Sequence, residues 1–231
     1  KLSPFLGQFG LGQNAAVDIS EARHGLLPSR SWKEGAKRLP WFPGDSLNTA
    51  IGQGFMLTTP LQLATATAVL ANKGKWHRPH LLKHITSGEA PVNSRFSSDP
   101  ADIILNNPDD WDFMFSAMEN VMHGARGTAR KSGEKSTYRM AGKTGTAQVV
   151  GIKQGEKYDA KALLERHRDH SLFVGFAPLK NPQIAVAVII ENGGGDHAAA
   201  PTARKVFDHW LLRPKPALNT PVLPKPALNR N

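Results

Sequence analysis

The sequence contains no cysteine, no long apolar run and no dense cluster of basic residues. Without cysteine it has no disulfide framework, no cysteine nucleophile and no thiolate ligand for a metal. Its longest uninterrupted apolar run, residues 184–190, is far too short to span a bilayer. No secretory signal peptide is recognisable in the first residues. We therefore expect any membrane anchor to lie outside this sequence.

Acidic residues are outnumbered, since 19 Asp and Glu stand against 29 Lys and Arg and give a net charge of +10. This excess suits an anionic partner such as nucleic acid, a membrane surface or a carboxylate-bearing polymer. The basic residues are dispersed, however, with no run of five or more. That pattern argues against a nucleic-acid-binding domain, an alternative that steeply salt-dependent DNA binding would support.

Start and stop signals predict the main helices. Residues 59–62 form a capping box with proline at the first helical position, so a helix is expected to run to Leu70 and stop at Gly74. Residues 107–124 begin with acidic residues, continue with apolar residues at helical spacing and end at glycine. Residues 199–212 predict the last helix.

The remaining segments carry weaker signals. Residues 2–9 are expected to be helical and to stop at Gly10. Residues 25–44 contain three prolines and are expected to form a loop, whereas residues 76–85 are expected to be extended. The charged residues 153–169 are expected to be partly helical around residues 161–166.

Three β-rich stretches predict an antiparallel sheet. These are residues 138–150 and the two arms of a hairpin, 171–179 and 183–192, with the last helix covering them. Strands segregated from helices favour an α+β fold. A Pro-Lys-Pro-Ala-Leu-Asn repeat follows, so we expect residues 1–212 to form the ordered domain and residues 213–231 a disordered, proline-rich basic tail.

The centre of the first strand is unusual, because Gly142 and Gly145 bracket Lys143 and Thr144. Glycine weakens a strand unless something must approach the backbone closely. We interpret the stretch as an edge that pairs with an extended peptide, whose carboxylate Lys143, Thr144 and Thr146 would hold. A hairpin turn is one alternative. A phosphate-binding loop is disfavoured, because residue 137 is not glycine and strand follows instead of helix.

Histidines raise the possibility of a metal site. His77, His80 and His84 are close in sequence, but on an extended segment His77 and His80 point to opposite faces and no nearby acid completes a ligand set. His167 and His170 have the same weakness. We therefore predict no metal site.

Several motifs occur together in a recognisable order. Lys143-Thr144-Gly145-Thr146-Ala147 precedes strands that end in Gly175-Phe176-Ala177-Pro178 and Glu191-Asn192-Gly193-Gly194. Upstream lie Gly25-Leu26-Leu27-Pro28-Ser29 with Trp32-Lys33, Pro43-Gly44-Asp45, Ile51-Gly52-Gln53-Gly54 and Thr59-Pro60-Leu61-Gln62. Across residues 1–212 this order resembles class B penicillin-binding proteins. Gln148-Val149 and Arg168-Asp169-His170 resemble the elongation type, penicillin-binding protein 2, more than the division type.

The resemblance implies a penicillin-binding-protein/β-lactamase-like α+β fold and a serine D,D-transpeptidase of the transpeptidase/carboxypeptidase class. Such enzymes cross-link peptidoglycan stem peptides through an acyl-serine intermediate during cell elongation, and β-lactams acylate them. Lys143, Thr144, Gly145 and Thr146 would be the catalytic residues of this chain, with the Thr146 N–H as one oxyanion donor. Lys143, Thr144, Thr146, Ala147 and Gln148 would bind substrate, and His170 would order the site.

The family also uses a Ser-x-x-Lys box and a Ser-x-Asn or Ser-x-Asp box. Ser132-Gly133-Glu134-Lys135 and Ser46-Leu47-Asn48 match only in spelling, because the first follows a helix end and the second lies inside another motif. We therefore expect the chain to be the C-terminal part of a transpeptidase domain, starting after the second box. The serine nucleophile would lie outside it, and the isolated chain would be inactive.

The resemblance also implies partners and a location. The partners would be stem peptides on lipid-linked glycan strands, β-lactam antibiotics, and the glycosyltransferase and scaffold proteins of an elongation complex. No cofactor and no nucleic acid is expected. The protein would act at the periplasmic face of the bacterial inner membrane. The alternative is a non-catalytic module that binds a peptide or a partner on the same fold.

Overall fold

The computed structural model describes residues 2–16, 18–82, 99–151, 158–194 and 198–213. The strands are β1 (Ala141–Ala147), β2 (His170–Ala177) and β3 (Ile184–Ile190). The helices are α1 (Leu2–Gly7), α2 (Arg30–Lys37), α3 (Pro43–Ala50), α4 (Pro60–Ala71), α5 (Asp109–His123), α6 (Arg130–Gly133) and α7 (Ala199–Leu212). None of the described helices is long and apolar enough to span a membrane.

The three strands form one antiparallel sheet in the order β1-β2-β3. Ala141 pairs with Phe176 and Ala147 with His170, so β1 lies along the whole of β2. The predicted α+β class and the predicted hairpin are confirmed. The first strand is shorter than the predicted 138–150, since β1 covers Ala141–Ala147. Within the described residues, β1 and β3 each have one edge without a strand neighbour.

Helices cover both faces of the sheet. Phe173 and Phe176 of β2 are an odd number of residues apart and therefore point to opposite faces. Phe173 joins the buried cluster that contains Phe207 of α7, and Phe176 joins a second buried cluster with Met118 of α5. Because both faces are packed, the position of β1 is set by burial on each side.

The strongest helix predictions are confirmed. Helix α4 starts with the predicted capping box, in which the Thr59 side chain accepts the Gln62 N–H and the Gln62 side chain accepts the Thr59 N–H. Helix α5 covers Asp109–His123 and is followed by Gly124. Helix α7 covers Ala199–Leu212, the predicted range.

The loop predicted for residues 25–44 is wrong. Ser29 caps α2, since its hydroxyl accepts the Trp32 N–H at 3.1 Å. Pro43 lies in the first turn of α3, where the Asp45 side chain accepts the Phe42 N–H at 2.7 Å. The prolines that suggested a loop stand beside helices or at their starts, positions that tolerate a missing N–H.

Three further predictions concern the segments with weaker signals. Residues 76–82 form no strand, and instead Asp102, Asp99 and Asp18 accept N–H groups of this segment. Residues 83–85 lie outside the described part. Of the predicted helical residues 161–166, only the short 3₁₀ turn Glu165–His167 overlaps. The tail at residues 214–231 lies outside the described residues, so its disorder and the boundary at residue 212 stay predictions.

Candidate functional site

Strand β1 presents the predicted site residues along the edge of the sheet. Lys143 and Thr146 are exposed, Gly145 is half-buried and Thr144 is only 6% exposed. The Lys143 Nζ donates to the Thr144 carbonyl oxygen at 2.7 Å. Lys143 therefore places its ammonium group beside the strand backbone, where an extended ligand with a carboxylate can reach it.

Thr128, which the sequence analysis did not assign to the site, contacts the side chain of Thr144. The Thr128 hydroxyl lies 3.0 Å from the Thr144 hydroxyl, and either oxygen can be the donor. Thr128 belongs to the loop between α5 and α6, whose Ala129 N–H donates to the Val121 carbonyl at 3.0 Å. The sequence does contain a signal for this contact. Gly127-Thr128-Ala129 is a turn of small residues after a predicted helix, and small residues allow a turn to pack closely against its neighbours.

The Ile51-Gly52-Gln53-Gly54 motif reaches the C-terminal end of β1. The Gln53 Nε2 donates to the Thr146 carbonyl oxygen at 3.2 Å. Gly52 and Gly54 have φ values of +75° and +74°, in the region that favours glycine. This local chain path presents Gln53 to the strand, so the motif contributes to the order of the site.

Buried Asp169 fixes the chain where it leaves β1. Its Oδ1 accepts the Val149 N–H at 3.2 Å, and its own N–H donates to the Tyr158 hydroxyl at 2.9 Å. Gln148 is exposed between β1 and this anchor. The buried Asp169 carboxylate thus holds the residues after β1 beside the start of β2, since buried polar groups need hydrogen-bond partners.

His170 lies opposite Ala147 in the strand pair. Its Nδ1 accepts the Asn192 N–H at 2.9 Å, and the Asn192 Nδ2 donates to the Arg168 carbonyl at 2.9 Å. These bonds connect the start of β2 to the turn after β3. The ordering role expected for His170 in the site stays a prediction.

The two look-alike serine boxes have other surroundings. Ser132 is in α6, which ends at Gly133, and Lys135 follows with φ +56°. That lysine is therefore not one helical turn along the same helix. The Ser46 hydroxyl accepts the Trp41 Nε1–H at 2.8 Å, which gives it a packing role.

The described residues contain no group of three or more His, Cys, Asp or Glu side chains arranged to hold a metal ion. His77 Nδ1 lies 3.8 Å from Asp99 Oδ2, and His80 Nδ1 lies 2.8 Å from the Leu82 carbonyl oxygen. His84 lies outside the described residues.

The family model described as penicillin binding protein transpeptidase domain matches residues 1–208. The peptidoglycan D,D-transpeptidase MrdA of Haemophilus influenzae is 39% identical, with 100% of this chain and 36% of that protein aligned. The Acinetobacter baumannii MrdA is 42% identical, with 93% of this chain and 31% of that protein aligned. The chain thus spans about a third of the length of these curated relatives.

Solved structures that are similar to this chain point to the same family. Pseudomonas aeruginosa PBP2, in complex with WCK 5153, is 49% identical with a TM-score of 0.79 and aligns over 92% of this chain and 44% of that one. PBP2 of Helicobacter pylori, in a complex with MreC, is 28% identical with a TM-score of 0.75 over 91% of this chain and 36% of that one. A structure titled as a peptidoglycan synthase complex that coordinates polymerization and crosslinking is 29% identical, with a TM-score of 0.69 over 94% of this chain and 34% of that one.

Proposed function

Because the chain belongs to the penicillin-binding protein transpeptidase family, we propose that it carries the Lys-Thr-Gly part of an elongation-type peptidoglycan D,D-transpeptidase. The observation that carries this proposal is the edge of β1, where exposed Lys143 and Thr146 flank Gly145 beside an edge with no strand neighbour among the described residues. Such an edge suits an extended peptide that ends in a carboxylate.

Residues in β1 and just after it have separate roles in binding the peptide. Lys143 and Thr146 hold the terminal carboxylate of the donor peptide, and the Thr146 N–H stabilises the developing oxyanion. Ala147 and Gln148 extend the surface along the peptide. The Thr128 hydroxyl can donate its hydrogen bond to the Thr144 hydroxyl oxygen. The Thr144 hydroxyl hydrogen is then available to donate to the carboxylate of the peptide.

The serine nucleophile, in this proposal, comes from sequence outside these 231 residues. The support is the motif order of the family and the surroundings of Ser132 and Ser46. A serine acts as a nucleophile when an adjacent base takes its proton. Neither of these serines has a lysine one turn along its helix.

The partners and location proposed for the whole protein follow its relatives. A PBP2 has been solved with MreC, and another similar chain belongs to a peptidoglycan synthase complex. We propose a scaffold protein and a glycosyltransferase as partners, lipid-linked glycan strands as substrate, and β-lactams as inhibitors, at the periplasmic face of the inner membrane.

The test is a fusion that places the part of Pseudomonas aeruginosa PBP2 preceding the match before Leu2 of this chain. Fluorescent penicillin is expected to label the fusion. Lys143→Ala is expected to slow labelling by about 100-fold or more, the cost of removing a main electrostatic contact in an acylation site. Lys161→Ala, an exposed lysine outside β1, is the matched control and is expected to label normally.

The chain alone is expected to show no covalent adduct by intact-mass spectrometry after incubation with benzylpenicillin. A stoichiometric adduct on Ser132 or Ser46 would contradict the proposed origin of the nucleophile. A folded fusion that is never labelled would instead favour the non-catalytic binding module.

A further inference from the structure

Gln53 reaches β1 from a tightly held turn at the end of α3. The Gly52 N–H donates to the Thr49 carbonyl at 3.0 Å, and the Gln53 N–H donates to the Asn48 carbonyl at 2.8 Å. A Cβ atom on Gly54 would lie 3.1 Å from the Asn48 Cβ, so the turn folds directly back on α3. The backbone of Gln53 is therefore fixed relative to this helix.

Helix α3 is itself held at its start by a buried ion pair. The Lys33 ammonium group, on α2, contacts the Asp45 carboxylate, and the Lys33 side chain is only 5% exposed. Lys33 Nζ also lies 4.4 Å from the centroid of the Phe42 ring. Breaking a buried ion pair leaves an uncompensated charge, so this contact holds α3 against α2. Both ends of α3 are thus held in place, and its last turn directs Gln53 at β1.

The hydrogen bond from Gln53 also shows which way Thr146 faces. In a strand, the N–H and C=O groups of one residue point to the same side, because a hydrogen-bonded residue pair exchanges both bonds. Gln53 Nε2 reaches the Thr146 carbonyl at 3.2 Å from a segment outside the sheet, whereas β2 occupies the other edge of β1. The Thr146 N–H therefore points to the edge of β1 that has no strand neighbour among the described residues.

Thr146 lies where the sheet holds the chain least. Its backbone groups face away from β2, so the bonds between the two strands do not hold them directly. Gly145, which precedes it, has no Cβ atom and allows many backbone conformations. The strand then ends one residue later, at Ala147. A contact from the open side is therefore needed to fix the direction of the Thr146 N–H.

We propose that Gln53 is a positioning residue for acyl transfer, whose Nε2 holds the Thr146 carbonyl and thereby keeps the Thr146 N–H directed at the reacting oxygen. This inference rests on the proposed function, in which that N–H is an oxyanion donor. In acylation the serine oxygen bonds to the substrate carbonyl carbon, and negative charge moves to the carbonyl oxygen. The C–N bond then breaks, and its nitrogen takes the proton that serine gave up. A donor lowers this barrier most when it is oriented before the charge develops.

Gln53 does not have to leave when a peptide pairs with the edge. A carbonyl oxygen has two lone pairs, so Thr146 accepts both Gln53 Nε2 and a peptide N–H. The contact therefore acts on the reaction step, and its removal slows acylation instead of opening the edge.

The experiment measures penicillin labelling of the fusion with Pseudomonas aeruginosa PBP2 at several penicillin concentrations, which separates the acylation rate constant from the half-saturating concentration. Gln53→Ala is expected to lower the rate constant about tenfold, less than the loss of an oxyanion donor itself. The half-saturating concentration is expected to stay within about twofold, because the contact acts on the transition state. Gln183→Ala is the matched control, an exposed glutamine just before β3, at the end of the sheet away from Thr146.

Gln53→Glu tests the donor itself. At about pH 7.5 its carboxylate is ionised and only accepts hydrogen bonds, so acylation should be no faster than in Gln53→Ala. As pH falls to about 5, the carboxyl group takes up a proton and donates its O–H to the Thr146 carbonyl. The rate of the Glu variant divided by that of the Ala variant is expected to rise by about threefold or more.

The charged groups on the two elements that Gln53 joins, Lys143 of β1 and Asp45 of α3, are the same in both variants. Their titration therefore cancels in this ratio. Gln183→Glu adds the same carboxyl group away from Thr146, and its rate divided by that of Gln183→Ala should not change with pH. Thermal melting of each variant gives the folded fraction, so that a loss of folding is not counted as a loss of acylation.

The outcomes separate the two proposals. Absent labelling of a folded, unmodified fusion would remove the proposed function and this inference together. If the unmodified fusion is labelled normally, unchanged or faster acylation of Gln53→Ala would overturn the positioning role and leave the proposed function intact. A change confined to the half-saturating concentration, or a ratio of the two Gln53 variants that does not change with pH, would also overturn it.

Discussion

Gly142 and Gly145 lie in the same strand, yet a side chain added at each position would meet different surroundings. A Cβ atom on Gly142 would overlap the ring of Phe173, and Gly142 pairs across the strands with Gly175, which meets the same ring. A Cβ atom on Gly145 would meet only Leu172 Cβ, at 3.3 Å. Gly142 therefore serves the packing of an aromatic ring, whereas the fold itself leaves room at Gly145.

This difference predicts opposite effects for one substitution at two positions. Gly142→Val should destabilise the chain by about 3 kcal/mol, because an overpacked core must shift. Gly145→Val should change stability by about 1 kcal/mol or less, yet block penicillin labelling of the fusion, because its side chain crowds a peptide on the strand edge. Thermal melting and labelling rates measure the two effects. The reverse ranking would mean that Gly145 serves the backbone and not the ligand.

Gln62 is a single side chain that joins several segments. It is 1% exposed; its Nε2 donates to the carbonyls of Gln13 at 2.8 Å and His24 at 2.7 Å, and its Oε1 accepts the Thr59 N–H at 3.0 Å. Gln62→Glu keeps the acceptor but sets a carboxylate against two carbonyl oxygens. We expect a loss of about 3 kcal/mol in the free energy of unfolding.

Gln13→Glu is the matched control for that substitution. The Gln13 side chain is exposed, and among the described residues it donates to the Gly7 carbonyl, at 3.0 Å. An exposed bond of this kind contributes about 1 kcal/mol or less. Equal losses from Gln62→Glu and Gln13→Glu in denaturant titrations would argue against Gln62 as a buried junction.

Among the elements, the ends of α5 and α7 hold the segment that leads into β1. The Tyr138 hydroxyl donates to Asp208 Oδ1 at 2.6 Å, and the Arg204 Nε donates to the same oxygen at 2.8 Å. Burial, followed by the Asp208 hydrogen bond, raises the pKa of Tyr138. From α5, the His123 Nε2 accepts the Met140 N–H at 3.1 Å.

His123 makes this junction sensitive to pH. Burial is the main cause that lowers its pKa below the ordinary 6.5, with Arg139 adding to the effect and Glu119 opposing it. The unfolded chain then binds the proton more readily than the folded one, so stability is full above pH 6.5 and is lost as pH falls through the folded pKa. Protonation also ends the acceptance of the Met140 N–H.

We therefore expect the unmodified chain to lose more stability than His123→Gln when pH falls from about 7.5 to about 5.5, the window around the ordinary histidine pKa. The other histidines are common to both proteins, so their contributions cancel in the comparison. Urea titrations at each pH measure the difference. Parallel pH profiles would show that the pKa of His123 is the same in the folded and the unfolded chain.

The elements show why sequence reasoning succeeded in some places and failed in others. Helices α4 and α5 carry their own start or stop chemistry, so local signals located them. Helix α2 was missed because Pro28 and Pro40 flank it, although Ser29 is a proper cap. Lys143 to Thr146 were predicted as site residues from the glycines that bracket them in a strand and from the resemblance of the surrounding motifs. Thr128 and Gln53 were not assigned to the site, because their contacts with β1 span 16 and 93 residues.

At the scale of the whole molecule, much apolar surface lies open. Leu47 and Ile51 are 72% and 74% exposed, and their spacing of four residues places them side by side at the end of α3. Phe113 of α5 is 74% exposed. Strand β3 adds an apolar edge with no strand neighbour among the described residues. Open apolar surface and an unpaired strand edge both favour contacts with other chains.

We therefore expect the chain alone to self-associate as its concentration rises. Its charge of +10 opposes association between copies, so added salt should strengthen association by screening that repulsion.

Leu47→Glu with Ile51→Glu should weaken this association, because the change removes apolar surface without touching the buried core. Lys161→Gln with Lys205→Gln lowers the net charge by the same amount at exposed positions and should not weaken association. Sedimentation velocity from about 5 to about 100 μM, the range in which exposed apolar surface commonly drives aggregation, provides the measurement. A monomer at every concentration and salt level would show that repulsion outweighs the open surface, and equal weakening by both pairs would assign the contact to charge instead of to the exposed end of α3.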